Sequence, residues 1–198
     1  APWVQHYDSG VPADIEPVAT TLPRLLLKAA EKAPASPALA FVGRLITYQE
    51  LSDHTARLAQ ALKTLGLAPG ERLALWLPNC PQYVVAYHAA LRLGAAVVPL
   101  NPLLSTKELA HQLKDSGTRR LVVLDHFLPR LEEVAGGLNL SQVIVTSLTD
   151  YLPWPLRWLY PLKARRQGLA NGFRPGPGRR PWRELLKSSP LAEEPVPG

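Results

Sequence analysis

One cysteine, Cys80, and no methionine occur among the 198 residues. A single thiol excludes an internal disulfide framework and makes the cytoplasm the expected compartment. Cys80 stands at an apolar helix start with no base assignable to it, so it reads as a small buried hydrophobe rather than a nucleophile. No apolar run approaches the ~20 residues that span a bilayer. The opening APWVQHYDSGVPADIEP has neither the basic nor the apolar region of a signal peptide. The histidines, His6, His54, His88, His111 and His126, fall at no metal-ligand spacing. No Gly-x-Ser-x-Gly elbow is present, and no catalytic triad can be assigned. The acidic pair Glu132-Glu133 reads as a solvated face at a helix end.

What is present is unevenly spread. Hydrophobic residues make up 46% of the chain, enough to bury a core. Lys and Arg balance Asp and Glu over residues 1–150. Residues 151–198 hold nine Lys or Arg against three Glu, and so carry the whole formal charge of +6. The same quarter contains nine of the 21 prolines and three of the five tryptophans. This divides the chain into an extended segment at 1–20, an α/β unit at 21–150 and a basic Pro/Trp-rich extension at 151–198. Pro153, Pro155 and Pro161 exclude one long helix in that extension. Residues 172–178 read as loop, and Trp182 to Lys187 as a short helix.

Periodicity orders the middle unit. Leu22, Leu25, Leu26 and Ala29 have helical spacing after Thr21, and Pro34 ends that helix. Ala38 to Val42 and Leu45 to Thr47 read as a hairpin turning at Gly43-Arg44. Thr47 and Glu50 fit a capping box for a helix ending at Gly66. Apolar strands at Leu73–Leu77, Ala95–Pro99, Arg120–Leu124 and Val143–Thr146 alternate with helices at Gln82–Leu93 and Thr106–Lys114. Strands apolar on both faces and separated by helices predict an α/β fold, a largely parallel sheet flanked by helices. Within Leu75–Gly117, Gly94 fits a helix C-cap. Pro99 and Pro102 hold the exit around Asn101 extended. Ser105 or Thr106 caps the next helix, with Glu108 in its first turn. All of these are folding roles.

These residues carry a resemblance. HYDSGVPADIEP, LITYQELSDHTARLAQALKTLGLAPGERLALWLPN and ALRLGAAVVPLNPLLSTKELAHQLKDSG resemble successive blocks of the bacterial long-chain fatty-acid–CoA ligases. These are acyl-CoA synthetases of the adenylate-forming, AMP-binding superfamily. The likeness covers about residues 6–147. Asn101-Pro102 resembles acyl- and aryl-CoA ligases rather than peptide-synthetase adenylation domains. His111-Gln112-Leu113 with Asp115-Ser116-Gly117 leans toward the long-chain branch. Leu104 departs from a usual tyrosine. The resemblance implies part of the large N-terminal domain of such an enzyme. That enzyme uses ATP and Mg2+ to make an acyl-adenylate from a long-chain fatty acid, then transfers the acyl group to CoA. It also implies a homodimer interface within residues 1–35.

The family's phosphate loop resembles T-S-G-T-T-G-x-x-K-G, and no such run occurs here. Arg174-Pro175-Gly176-Pro177-Gly178-Arg179 is the one basic glycine cluster, and its prolines remove the amides a phosphate nest needs. By the family pattern, Glu193 to Gly198 stops short of that loop. The expectation is an N-terminal fragment, begun with Ala after initiator removal and truncated on its C-terminal side. It is expected to be inert alone, with no catalytic residue and no bound cofactor or metal.

One surface feature stands apart. Tyr151, Trp154, Trp158 and Tyr160 mix with Arg157, Lys163, Arg165 and Arg166. Aromatic rings and basic groups together suit an anionic membrane surface. Trp154, Arg157, Trp158, Lys163, Arg165 and Arg166 are therefore the candidate membrane contacts of a cytoplasmic, membrane-associated ligase. The alternatives are an aryl- or medium-chain CoA ligase, or, in a different class, a module holding nucleic acid with its basic tail. The tail lacks the aromatic sheet motif of common RNA modules, so no nucleic acid is expected among the partners.

Overall fold

The computed structural model describes residues 2–15, 19–154, 156–159, 176 and 178–192. After a 3-10 turn at Val4–His6, helix α1 spans Leu22–Lys32. Strands β1 (Pro37–Phe41) and β2 (Arg44–Thr47) form an antiparallel hairpin. Helix α2 (Tyr48–Thr64) leads to β3 (Arg72–Trp76), α3 (Pro81–Arg92), β4 (Ala96–Pro99), α4 (Thr106–Asp115) and β5 (Arg120–Leu124). Helix α5 (Leu128–Ala135), β6 (Gln142–Thr146), β7 (Arg179–Pro181) and a one-turn helix α6 (Trp182–Leu185) complete it.

Five strands pair in the order β4-β3-β5-β6-β7, and every pairing is parallel. Alternation along each strand divides the core in two. Leu73, Leu75, Val122, Leu124 and Ile144 face α2 and α3. Ala74, Trp76, Leu121, Val123, Val143 and Val145 face α4 and α5. Both faces are covered, which is why these strands read as unbroken apolar runs. Pro99 sits on β4, an edge strand, where its missing N–H is tolerated.

Local chemistry sets the joints. Ser105 accepts from the Glu108 amide, and Glu108 reaches back to the Ser105 amide, closing a full capping box on α4. On α2 only half the expected box forms. Thr47 accepts from the Glu50 amide at 3.1 Å, while the Glu50 carboxylate pairs with Arg44 instead. Gly94 has φ 69°, the left-handed value its C-cap position requires.

Two expectations need correction. The hairpin turns on Val42-Gly43, not Gly43-Arg44: both have positive φ, and Arg44 begins β2. The sequence reading ends its loop at Gly178 and assigns no element to 179–181, whereas the structure makes Arg179–Pro181 the fifth sheet strand. Gly178 allows this with φ 71°, because a Cβ there would lie 2.9 Å from the Ser141 carbonyl oxygen. Trp182, Leu185 and Leu191 then enter the core. Arg92 donates to the Leu191 carbonyl at 2.9 Å, and Arg57 to that of Ser188 at 3.1 Å. A strand written Arg-Arg-Pro has no apolar alternation to reveal it.

Candidate functional site

In open parallel sheets ligands gather beyond the carboxyl ends of the strands, where the strand order reverses. Here that point lies between β3 and β5, and it is filled by the chain itself. Trp76, fully buried, packs on Phe127 with ring centroids 4.8 Å apart. The Arg130 guanidinium lies 5.2 Å over its ring. The Trp76 indole donates to the Asn101 carbonyl at 3.1 Å, and the Asn101 side chain accepts from the Leu103 amide at 2.9 Å. On the other face Gln82 is buried and donates to the Ser147 carbonyl at 2.8 Å. Asn101-Pro102 is therefore a turn-builder.

The described residues do not fit a nucleotide triphosphate. Besides the one-turn α6, three helices follow sheet strands, and a free helix N-terminus is the simplest phosphate cradle. Helix α3 opens with Pro81 behind buried Cys80. The first turn of α4 is occupied by its own Glu108 carboxylate, and α5 carries a proline in its first turn. Burial pushes the Cys80 thiol up to about 11, against the pull of the Tyr83 and Gln82 amides. The thiol is thus a packed group and not a nucleophile at neutral pH. It lines a shallow apolar cavity of about 270 Å³ with Leu39, Phe41 and Tyr83.

The open chemistry lies further along the sheet, past the ends of β6 and β7. A 3-10 turn, Leu148–Asp150, leads out of β6. Asp150 accepts from the Thr146 hydroxyl at 2.8 Å and the Ser147 amide at 3.0 Å, and it pairs with Arg183. Tyr151 is buried and shares a 2.8 Å hydrogen bond with His54 Nδ1, while Arg44 lies 5.3 Å over its ring. Burial raises the Tyr151 phenol well above its ordinary value and lowers the His54 imidazole, so both are neutral near pH 7.

Two adjoining cavities open here. One, of about 260 Å³, is lined by Arg44, His54, Asp150, Tyr151, Arg157, Trp182, Arg183 and Leu186. The other, of about 660 Å³, shares Arg44, Arg157 and Arg183 and adds Thr149, Leu152, Pro153, Trp154 and Trp158.

Of the candidate surface residues, the structure brings Trp154, Arg157 and Trp158 together on this wall. The two indoles are 78% and 72% exposed. Lys163, Arg165 and Arg166 lie outside the described residues. Arg44, His54, Asp150 and Arg183 were not foreseen there. Only tertiary contact joins them, Tyr151 to His54 across 97 positions, and no local sequence signal announces it.

Residues 26–184 match the family described as AMP-binding enzyme. A long-chain-fatty-acid–CoA ligase of Bacillus subtilis is 34% identical over 84% of this chain, which covers 30% of that relative. A ligase of the same name from Salmonella typhimurium is 37% identical over 76% of the chain and 27% of its own length. Among solved structures, the anthranilate CoA ligase AuaEII in complex with anthranoyl-AMP matches 92% of this chain and 31% of its own, with TM-score 0.73 and 23% identity. The chain thus spans about 30% of the length of the first curated relative it matches.

Proposed function

This chain belongs to the AMP-binding enzyme family, and from that premise we propose that it builds part of an ATP-dependent fatty-acid–CoA ligase. In the reaction, ATP and a long-chain fatty acid would give an acyl-adenylate and pyrophosphate, and the CoA thiol would then displace AMP; Mg2+ is the metal the full enzyme would use. The observation that carries this reading is the identity with two bacterial long-chain ligases across most of the chain. Aryl-CoA ligases share the fold at lower identity, so they support the architecture and not the substrate. Within the ligase this chain is scaffold: Ser105 and Glu108 close the start of α4, prolines stand in the first turns of α3 and α5, and Trp76 closes the switch point.

A chimera tests the reading. The matching segment of the Bacillus subtilis ligase is replaced by residues 6–192 of this chain, and palmitoyl-CoA formation is measured. Activity within about ten-fold of the parent is expected. A chimera that melts cooperatively near the parent's midpoint, yet makes benzoyl-CoA and no palmitoyl-CoA, would sink the long-chain assignment. This chain alone is expected to release no pyrophosphate from ATP and palmitate.

The ligase acts, in this proposal, at an anionic membrane surface. Trp154 and Trp158 stand open to solvent beside Arg157, with Leu156 and Leu159 also exposed on the same helical turn. Exposed indoles next to a guanidinium are the chemistry that favours the headgroup region. No helix among the described residues is long and apolar enough to cross a membrane, so the contact would be peripheral. Co-sedimentation with anionic lipid vesicles measures it, and binding unchanged after Trp154 and Trp158 are replaced by alanine would sink this contact.

A further inference from the structure

The two cavities past β6 and β7 share three guanidiniums, and their commitments differ. Arg44 is paired with Glu50 and lies over the Tyr151 ring. Arg183 is paired with Asp150. Asp150 is turned inward, accepting from Thr146 and Ser147 as well. Arg157 has no ion pair among the described residues; its backbone amide only closes the turn onto the Pro153 carbonyl at 3.1 Å. Among the described residues, three cations against two carboxylates leave one uncompensated positive charge at the mouth where the cavities meet. A guanidinium has five donors, so Arg44 and Arg183 keep free N–H groups after their pairings. The larger cavity continues the cationic mouth with an apolar wall, Leu152, Pro153, Trp154 and Trp158.

We propose that these cavities form a site for the phosphate head of an anionic amphiphile, with Arg157, Arg44 and Arg183 on the phosphate and Trp154 and Trp158 on its apolar body. Planar forks of N–H donors match phosphate oxygens geometrically, where an ammonium offers only a point charge. One excess charge matches a singly ionised phosphodiester. The tail's nine basic residues against three acidic ones favour an anionic leaflet as the source of that group. The assignment rests on the membrane-surface reading and adds to it a defined pocket for one headgroup.

The experiment uses the 198-residue chain and its variants Arg157→Gln, Arg157→Lys and Arg119→Gln. Arg119 is exposed just before β5, at the opposite end of the strands, and controls for loss of one charge. Co-sedimentation is run with phosphatidylcholine vesicles and with vesicles containing phosphatidylglycerol. Melting is followed with soluble dihexanoyl phosphatidylglycerol, dihexanoyl phosphatidylcholine and inorganic phosphate.

The expected result is that Arg157→Gln and Arg157→Lys both weaken binding to the anionic vesicles about five-fold or more, while Arg119→Gln stays within about two-fold. The soluble phosphatidylglycerol raises the melting temperature of the parent and not of Arg157→Gln, and the other two probes do not raise it. A Lys variant that binds like the parent, or a Gln variant no weaker than Arg119→Gln, overturns the pocket in favour of diffuse charge. Inorganic phosphate stabilising as well as the soluble lipid overturns the amphiphile. Vesicle binding that ignores Arg157, with no lipid-induced melting shift, removes the pocket and leaves the membrane reading standing. A shift that depends on Arg157, without binding to any vesicle, keeps the pocket and removes the membrane.

Discussion

Val42 is the one non-glycine residue with positive φ among the described residues, at 47°. A β-branched side chain is poorly suited to that region, since its Cβ substituents crowd the following carbonyl. It is also 55% exposed, so burial does little to offset the strain. Asn occupies the left-handed region more readily, and Asn-Gly is the favoured pair for a two-residue hairpin turn. Val42→Asn is therefore expected to stabilise the chain by about 1 kcal/mol, read as a higher urea midpoint at unchanged slope. A lower midpoint would mean that the side chain contributes packing the exposure does not reveal. The sequence points to a turn here through Gly43. It misplaces the turn by one residue, because a valine gives no hint of a left-handed backbone. Gly94 shows the opposite case, in which a glycine after an apolar helix announces its own φ.

At the scale of elements, caps and double-faced apolar strands were legible because each is written in a few adjacent residues. The α4 start is the clearest. Ser105 and Thr106 are both able to cap on sequence grounds, and the structure chooses Ser105. Thr106 sends its hydroxyl outward to Glu133 at 3.2 Å. Ser105→Ala should therefore cost about 1 kcal/mol and Thr106→Ala under about 0.5 kcal/mol, measured by chemical denaturation. Equal costs would contradict the assignment. Strand β7 was not legible, since Arg179-Arg180-Pro181 carries neither alternation nor β-branched residues. What makes it a strand is non-local: the open edge of β6 and the Ser141–Gly178 contact. The cavity beside it was hidden for the same reason. Its tryptophans and Arg157 are neighbours in sequence, while Arg44, His54 and Arg183 arrive through the fold.

At the scale of the molecule, the compositional break after Asp150 does not mark where the packing ends. Residues 179–191 close one edge of the sheet and bring Trp182, Leu185 and Leu191 into the core that α2 and α3 share with the strands. Arg183 returns to Asp150, and the Leu191 amide donates to the Ala56 carbonyl at 3.0 Å. Each buried side chain of that size contributes about 1.5–3 kcal/mol, and whole domains are stable by only about 5–15 kcal/mol. A chain cut after Asp150 would lose those three side chains, buried Tyr151 and Leu152, the Arg183 pair and the cover on β6. It would also expose a strand edge of Val143, Ile144 and Val145 able to pair with a second copy. Residues 1–150 are thus expected to melt far below residues 1–192, or to associate at micromolar concentration, whereas 1–192 should match the full chain. Calorimetry with sedimentation velocity on the three lengths measures both effects. Equal melting temperatures for 1–150 and 1–192, with both monomeric, would show that β7 and α6 lie on the sheet without supporting it.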